Sequence, residues 1–317
     1  MSVSSLQGMR PERTSPPTPR RSRLKASWFQ NDQIADGLDF GLATDRRTLE
    51  QAFRLQHDQY VAQGYMDPHP SNWRLSIHNA LPATRVFVAR SKDRVVATMT
   101  LIADSPVGLP MDEIYSDELR TLRDVGRDLA EVSGLAIDPD YKLSGVAILL
   151  RLIRLLVVYA AQVGSDLCVA VNPHHAAFYR NAFHFQDIGG LKQYRKVNGA
   201  PAVALRLDLA LARSLMRELR DGHPMISEVH GFLFSPENLG PVLARLGEDL
   251  KQVVQLAEHV AYFFSRHEAL TNASAVDRAY ILAGCDPRPP RKPLMLSRGT
   301  PNRSVVDRER PLHLALA

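Results

Sequence analysis

The chain has 317 residues, 45% of them hydrophobic and 23% charged, which gives room for about two domains and ample material for a core. Two cysteines, Cys168 and Cys285, exclude a disulfide scaffold and a multi-cysteine zinc site. The net charge of +5 is uneven: residues 1–27 carry +5 and 286–317 carry +4, which leaves −4 for 28–285, so the basic character belongs to the ends.

In chain order, residues 1–27 come first as a basic, proline-rich tail, expected to be disordered and solvated. They contain no apolar signal core, and no run reaches the roughly 18 apolar residues that span a bilayer. The most apolar stretch, Val146 to Ala161, is interrupted by Arg151 and Arg154. A cytoplasmic protein without a membrane span is expected, with nucleic acid not among its partners.

Leu38 to Ala43 reads as a short strand. Thr44 is the expected cap of an amphipathic helix whose stripe is Leu49, Ala52, Phe53, Gln56 and Tyr60. Arg85–Arg90 and Val95–Ile102 are β-branched runs joined as a hairpin by Ser91-Lys92-Asp93-Arg94. A loop with a short helix follows near 108–115. Leu129 to Ile137 is the next strand, and Ser144-Gly145 opens an apolar helix to about Gln162. Leu167–Val171 is a strand, and Pro173 starts a helix through Tyr179. The runs 183–190, 193–197 and 202–209 complete the sheet, with Asn198-Gly199 as a hairpin turn.

This order predicts an α/β fold with a mixed, mostly antiparallel sheet flanked by helices. Only the middle alternates as a parallel βαβ unit does. A dinucleotide-binding fold is excluded, because no Gly-x-Gly-x-x-Gly turn follows the first strand. From Leu239 through Leu243, Leu246, Leu250, Val253, Ala257 and Val260 to Phe264 the spacing is three or four. Residues 210–285 are therefore a helical appendage that packs on the sheet or makes a partner interface. Residues 286–317 form a second disordered tail, rich in Pro and Arg.

Four local strings sharpen this picture. They are Tyr60-Val61-Ala62-Gln63-Gly64-Tyr65 after a helix, Glu131-Val132-Ser133 on a strand, Val171 to Tyr179 at a strand–helix junction, and Val197 to Ala202 at a closing hairpin. In this order they resemble FeeM-type N-acyl amino acid synthases, relatives of the acyl-homoserine-lactone synthases in the GNAT acyltransferase superfamily. The resemblance covers 38–209 and implies a GNAT-like N-acyltransferase domain there. It further implies transfer of a fatty acyl group from an acyl thioester, usually on acyl carrier protein, to the amine of an amino acid or related small molecule. Two positions depart from the family pattern, which has arginine where this chain has Gln56 and Gly134.

Attack on a thioester needs an uncharged amine, and a carboxylate raised by desolvation can take its proton. Glu131, flanked by Leu129, Ala130 and Val132, is the candidate base; the plain alternative is a strand carboxylate paired with an arginine. By resemblance, Tyr179 donates a proton to the leaving thiolate; otherwise it is a core aromatic beside Phe178. Asn172 either bonds the pantetheine amide or caps the following helix. Ser133, Tyr60 and His175 are implied to line the substrate pocket. Lys142, Ser144 and Gly145, at the start of the apolar helix, are the candidate phosphopantetheine site. This turn keeps only Gly145 of a glycine-rich pyrophosphate cradle, which favours a carrier-protein donor over CoA.

No metal is expected. His174 and His175 are adjacent and face apart on a helix, and His57, His69 and His78 lack ligand spacing. Cys168 reads as a buried hydrophobe. No permanently bound cofactor is expected; the acyl-phosphopantetheine thioester is a co-substrate. A homo-oligomer through the C-terminal helices is a further expectation. The competing reading is a non-catalytic GNAT-like module that binds acyl chains or carrier protein.

Overall fold

Alternation along each strand divides the core into two faces. The strands are β1 (Leu38–Leu42), β2 (Arg85–Ser91), β3 (Arg94–Ala103), β4 (Leu129–Ile137), β5 (Asp166–Val171), β6 (Gln186–Tyr194) and β7 (Ala200–Leu207). They form one sheet in the order β1-β2-β3-β4-β5-β7-β6, antiparallel except for β4 and β5. The structure is a computed structural model and describes residues 37–163, 166–219, 224–253 and 256–284. Both expected disordered tails, and Cys285, lie outside the described residues.

The helices are α1 (Arg46–Ala62), α2 (Asp112–Asp124), α3 (Gly145–Val163), α4 (Pro173–Phe183), α5 (Leu209–Leu219), α6 (Pro224–Phe234), α7 (Pro236–Gln252), α8 (Leu256–Phe264) and α9 (Ala275–Gly284). Phe87, Ala89, Leu101, Ala130, Leu167, Val169 and Leu205 join the core of α3. Their alternating neighbours Val86, Val88, Ile102, Leu129, Cys168 and Ala204 face α1, α2, α8 and α9. The helix α3 supplies the crossover that the parallel β4–β5 pair requires. Its length and composition would let it cross a membrane, but Ile148, Leu150, Leu152, Leu156 and Ala160 are among its many buried residues, and it packs as a core helix.

Several boundaries differ from expectation. Asp45, not Thr44, caps α1: one carboxylate oxygen accepts from the Thr48 N–H at 2.9 Å and the other from its hydroxyl at 2.5 Å. The loop near 108–115 leads into a full helix, α2, and α4 continues past Tyr179 to Phe183. The two runs expected at 183–190 and 193–197 are one strand, β6, with register shifts on both sides of Gly189. Glycine is needed there, because a Cβ at 189 would stand 2.6 Å from the Tyr115 ring. Asn198 and Gly199 both have positive φ, as a tight hairpin turn demands.

The appendage packs on the domain, and its leucine series divides between the two faces of the sheet. Leu246 on α7 belongs to the α3 core, whereas Val260 and Phe263 on α8 close the opposite face. Asp249 accepts the Leu42 N–H at 2.7 Å, and Arg245 bridges Asp249 and Asp39. Phe263 meets Phe53 and Trp73 edge-on, each at 5.1 Å.

Candidate active site

β4 and β5 pair only over Leu129–Glu131 and Asp166–Cys168. Beyond that point β5 keeps only its β7 neighbour, and β4 keeps only β3. The sheet therefore splits, and Glu131 is the last paired residue of β4 before the split. The other edge of β4 carries a bulge: Gly134 and Leu135 together oppose Met99, and Gly134 takes φ +62°. That left-handed conformation strains any residue with a Cβ.

Glu131 is 3% exposed and points to the α1/α2 face. Its Oε2 accepts the Met111 N–H at 2.7 Å, just before the first turn of α2. Among the described residues no arginine hydrogen-bonds it. Burial pushes its carboxyl up to about 8, against the Met111 hydrogen bond and the positive charges of Lys196 and Arg74, which pull down. The turn that carries Met111 is rigidly held. Arg123 grips Asp104 and Asp112 with two bonds each, at 2.6 to 3.0 Å, and Asp112 also accepts the Leu109 N–H.

Tyr179 approaches from α4, packed against Phe178 and Phe185. Burial and the neighbouring Tyr60 phenol push its hydroxyl up to about 12, so it stays protonated and can donate. Tyr60 stands at the end of α1, edge-on to Tyr65, with the Arg74 guanidinium 4.1 Å above its ring centre. Tyr194 is buried on β6 and donates to the Pro110 carbonyl at 2.7 Å. Burial and the charges of Glu131 and Glu113 push its pKa up, and Arg74 and Tyr60 also act on it. Electrostatics thus groups Glu131, Tyr60, Tyr179, Tyr194, Arg74 and Lys196.

The other expected residues fall into three places. Ser133 follows Glu131 by two on β4, opposite Thr100. Asn172 caps α4, its side chain accepting from the His174 N–H at 3.1 Å, which is the capping alternative. His175 is solvent-exposed on the first turn of α4. Ser144 ends a 3₁₀ turn and Gly145 opens α3 at the far end of β4, six strand residues and about 20 Å from Glu131. The side chain of Lys142 lies outside the described residues. Cys168 is fully buried with its thiol pushed up to about 12, as expected of a structural cysteine.

Sequence reasoning missed Met111, Tyr194, Lys196 and Arg74. Met111 contributes only a backbone N–H, which has no side-chain signature. The other three lie outside the strings that carried the resemblance, and only folding brings them to Glu131. It also missed a cluster of His69, His267 and Glu268, whose ligand atoms lie within 4.8 Å of one another. Those groups already serve each other: His69 bonds Glu268 at 3.0 Å through Nε2 and Ser71 through Nδ1, and His267 Nδ1 accepts the Ala269 N–H. An apolar hollow between α1, α8 and the start of β2 measures about 40 Å³, too small for an acyl chain.

A family model described as N-acyl amino acid synthase FeeM matches residues 51–208. The solved structure of FeeM, an N-acyl amino acid synthase from uncultured soil microbes, is 30% identical; the match covers 56% of this chain and 93% of that one, with a TM-score of 0.50. The AHL synthase LasI is 16% identical, over 54% of this chain and 89% of that one, with a TM-score of 0.42. The CoA-dependent acyl-homoserine lactone synthase BjaI, solved with SAM and isopentyl-CoA, is 17% identical, over 57% and 90%, with a TM-score of 0.38. No curated protein sequence matches significantly. Helices α5 to α9 lie beyond the region matched by the family model.

Proposed function

The chain belongs to the family of FeeM N-acyl amino acid synthases and is an N-acyltransferase, and on that premise we propose that it moves a fatty acyl group from a carrier-protein thioester to the amine of an amino acid. The observation that carries this reading is Glu131: a buried carboxyl, raised to about 8, at the point where β4 and β5 part. Once ionised, a carboxyl raised in this way holds a proton more strongly than an ordinary glutamate, which suits it to take the proton an attacking amine must lose.

In this reading the amine nitrogen attacks the thioester carbon. Glu131 takes the proton that nitrogen must lose to become an amide. The carbon–sulfur bond breaks, and the Tyr179 hydroxyl gives the departing sulfur its proton. The products are an N-acyl amino acid and a free phosphopantetheine thiol; Glu131 returns its proton to solvent and Tyr179 recovers one. The buried Met111 N–H steadies the carboxylate that must form before each turnover.

Ser133 and Tyr60 line the acceptor side, and Asn172 and His175 the donor side. The phosphopantetheine arm runs along the unpaired edge of β4, with its phosphate at Ser144, Gly145 and Lys142. The reading includes a cytoplasmic location; the C-terminal helices are the surface for any self-association.

The test is mass spectrometry of lipids from cells overexpressing the chain, beside a Glu131→Gln control. An N-acyl amino acid series present only with the unaltered chain is the expected result and names both substrates. The absence of that series, with free-thiol release lacking in a purified assay, would overturn the reading.

A further inference from the structure

Arg74 is half-buried between Trp73 and Leu75, and its backbone N–H is bonded to the Phe53 carbonyl of α1 at 3.1 Å. Its guanidinium lies 4.1 Å over the Tyr60 ring. Among the described residues it has no hydrogen-bond or ion-pair partner. Stacking occupies a face of the guanidinium and leaves its edge, with the N–H fork, free. Four other arginines have their forks filled: Arg123 by Asp104 and Asp112, Arg127 and Arg206 by Asp166 and Asp208, Arg245 by Asp39 and Asp249.

The fork lies within electrostatic range of Glu131 and Tyr194. Lys196 shares that range, but its ammonium already donates to the Pro110 carbonyl at 3.2 Å and pairs with Glu113 at 3.5 Å. Gln56 and Gly134, which lie beside each other where α1 meets the β4 bulge, supply no charge. Arg74 is then the cation by Glu131 whose donors are uncommitted among the described residues.

We infer that the Arg74 fork binds the α-carboxylate of the acceptor, holding its amine toward Glu131, so that the enzyme selects amino acids over simple amines. The planar fork matches a carboxylate with two parallel hydrogen bonds, and a partly buried site strengthens them. The inference rests on the acyltransferase reading above and specifies what its acceptor must carry.

The test uses the full chain with dodecanoyl carrier protein and dodecanoyl-CoA as donors. The acceptors are the best amino acid from a screen of the natural set and its carboxamide. Because amide and acid differ in amine basicity, the readout is their ratio of kcat/KM compared between the unaltered enzyme and variants. Arg74→Met is expected to lower the acid's kcat/KM by about 10- to 100-fold and to leave the amide's nearly unchanged. Arg74→Lys, which keeps the charge and loses the fork, should fall between. Acid and amide falling together, or neither falling, in variants that keep their melting temperature would overturn the inference. Turnover of neither acceptor by the unaltered enzyme would instead remove the acyltransferase reading, and the inference with it.

Discussion

Gln56 fills the space that a side chain at Gly134 would need: a Cβ there would stand 2.9 Å from Gln56 Oε1 and 3.0 Å from its Cδ. Gln56 is 1% exposed, so it has little room to move aside. The two positions are one structural unit. The bulge in β4 gives Gly134 its positive φ, and Gln56 on α1 packs against it and reaches Thr100 at 3.5 Å. Gly134→Ala should therefore cost about 1–2 kcal/mol from the left-handed backbone alone and more from the contact. Urea unfolding of the single variants and of Gln56→Ala/Gly134→Ala checks this; the double variant should be more stable than the sum of the two losses implies.

Glu131→Gln keeps the shape and removes the base. The acyl-transfer rate should drop by about 10²- to 10⁴-fold, while thermal stability near pH 5 stays close to that of the unaltered chain. Steady-state thiol release with an amine acceptor measures the rate. Unchanged turnover would remove Glu131 from the chemistry.

Glu131 also makes stability depend on pH in a definite direction. Its carboxyl titrates near 8 in the folded chain against 4.5 as an ordinary glutamate, so the native state holds the extra proton between these values. This stabilisation is complete below the unfolded value and is lost as pH rises through the folded one, with a slope approaching about 1.4 kcal/mol per pH unit in between. Melting temperature should fall more steeply from pH 5 to pH 8 in the unaltered chain than in Glu131→Gln. Parallel curves would show that Glu131 is ionised in the native state.

Tyr179→Phe removes one hydroxyl and keeps the ring contacts with Phe178 and Phe185. If that hydroxyl protonates the leaving sulfur, the loss of rate should be large with a pantetheine thioester. It should shrink with a thioester whose thiol is more acidic, since a stable thiolate needs no proton. An equal loss with both donors would assign Tyr179 a packing role.

The helices beyond residue 208 should be inseparable from the domain. Phe263 is 3% exposed and lies edge-on to Phe53 of α1 and to Trp73. Phe263→Ala should cost about 3–5 kcal/mol, measured by denaturant unfolding. A loss under about 1 kcal/mol would mean α8 is a detachable cover.

Local order and periodicity by themselves determined the strand–helix succession, the apolar crossover helix and the hairpin at Asn198-Gly199, and the resemblance carried by short strings made Glu131 and Tyr179 candidates. Each is written in neighbouring residues: alternation, a 3.6-residue stripe, a turn pair, or a short string. Tertiary structure alone decided what surrounds them. Asp45 wins the cap from Thr44 because its carboxylate reaches two groups of Thr48 at once. The 239–264 leucine stripe divides because α7 and α8 pack on opposite faces of the sheet. Met111, Tyr194, Arg74 and Lys196 come to Glu131 from segments as far as 65 residues away in number, and a backbone N–H leaves no mark in a sequence. The shift of Glu131 itself follows from burial, a property of the whole packed core and not of the three residues that flag it.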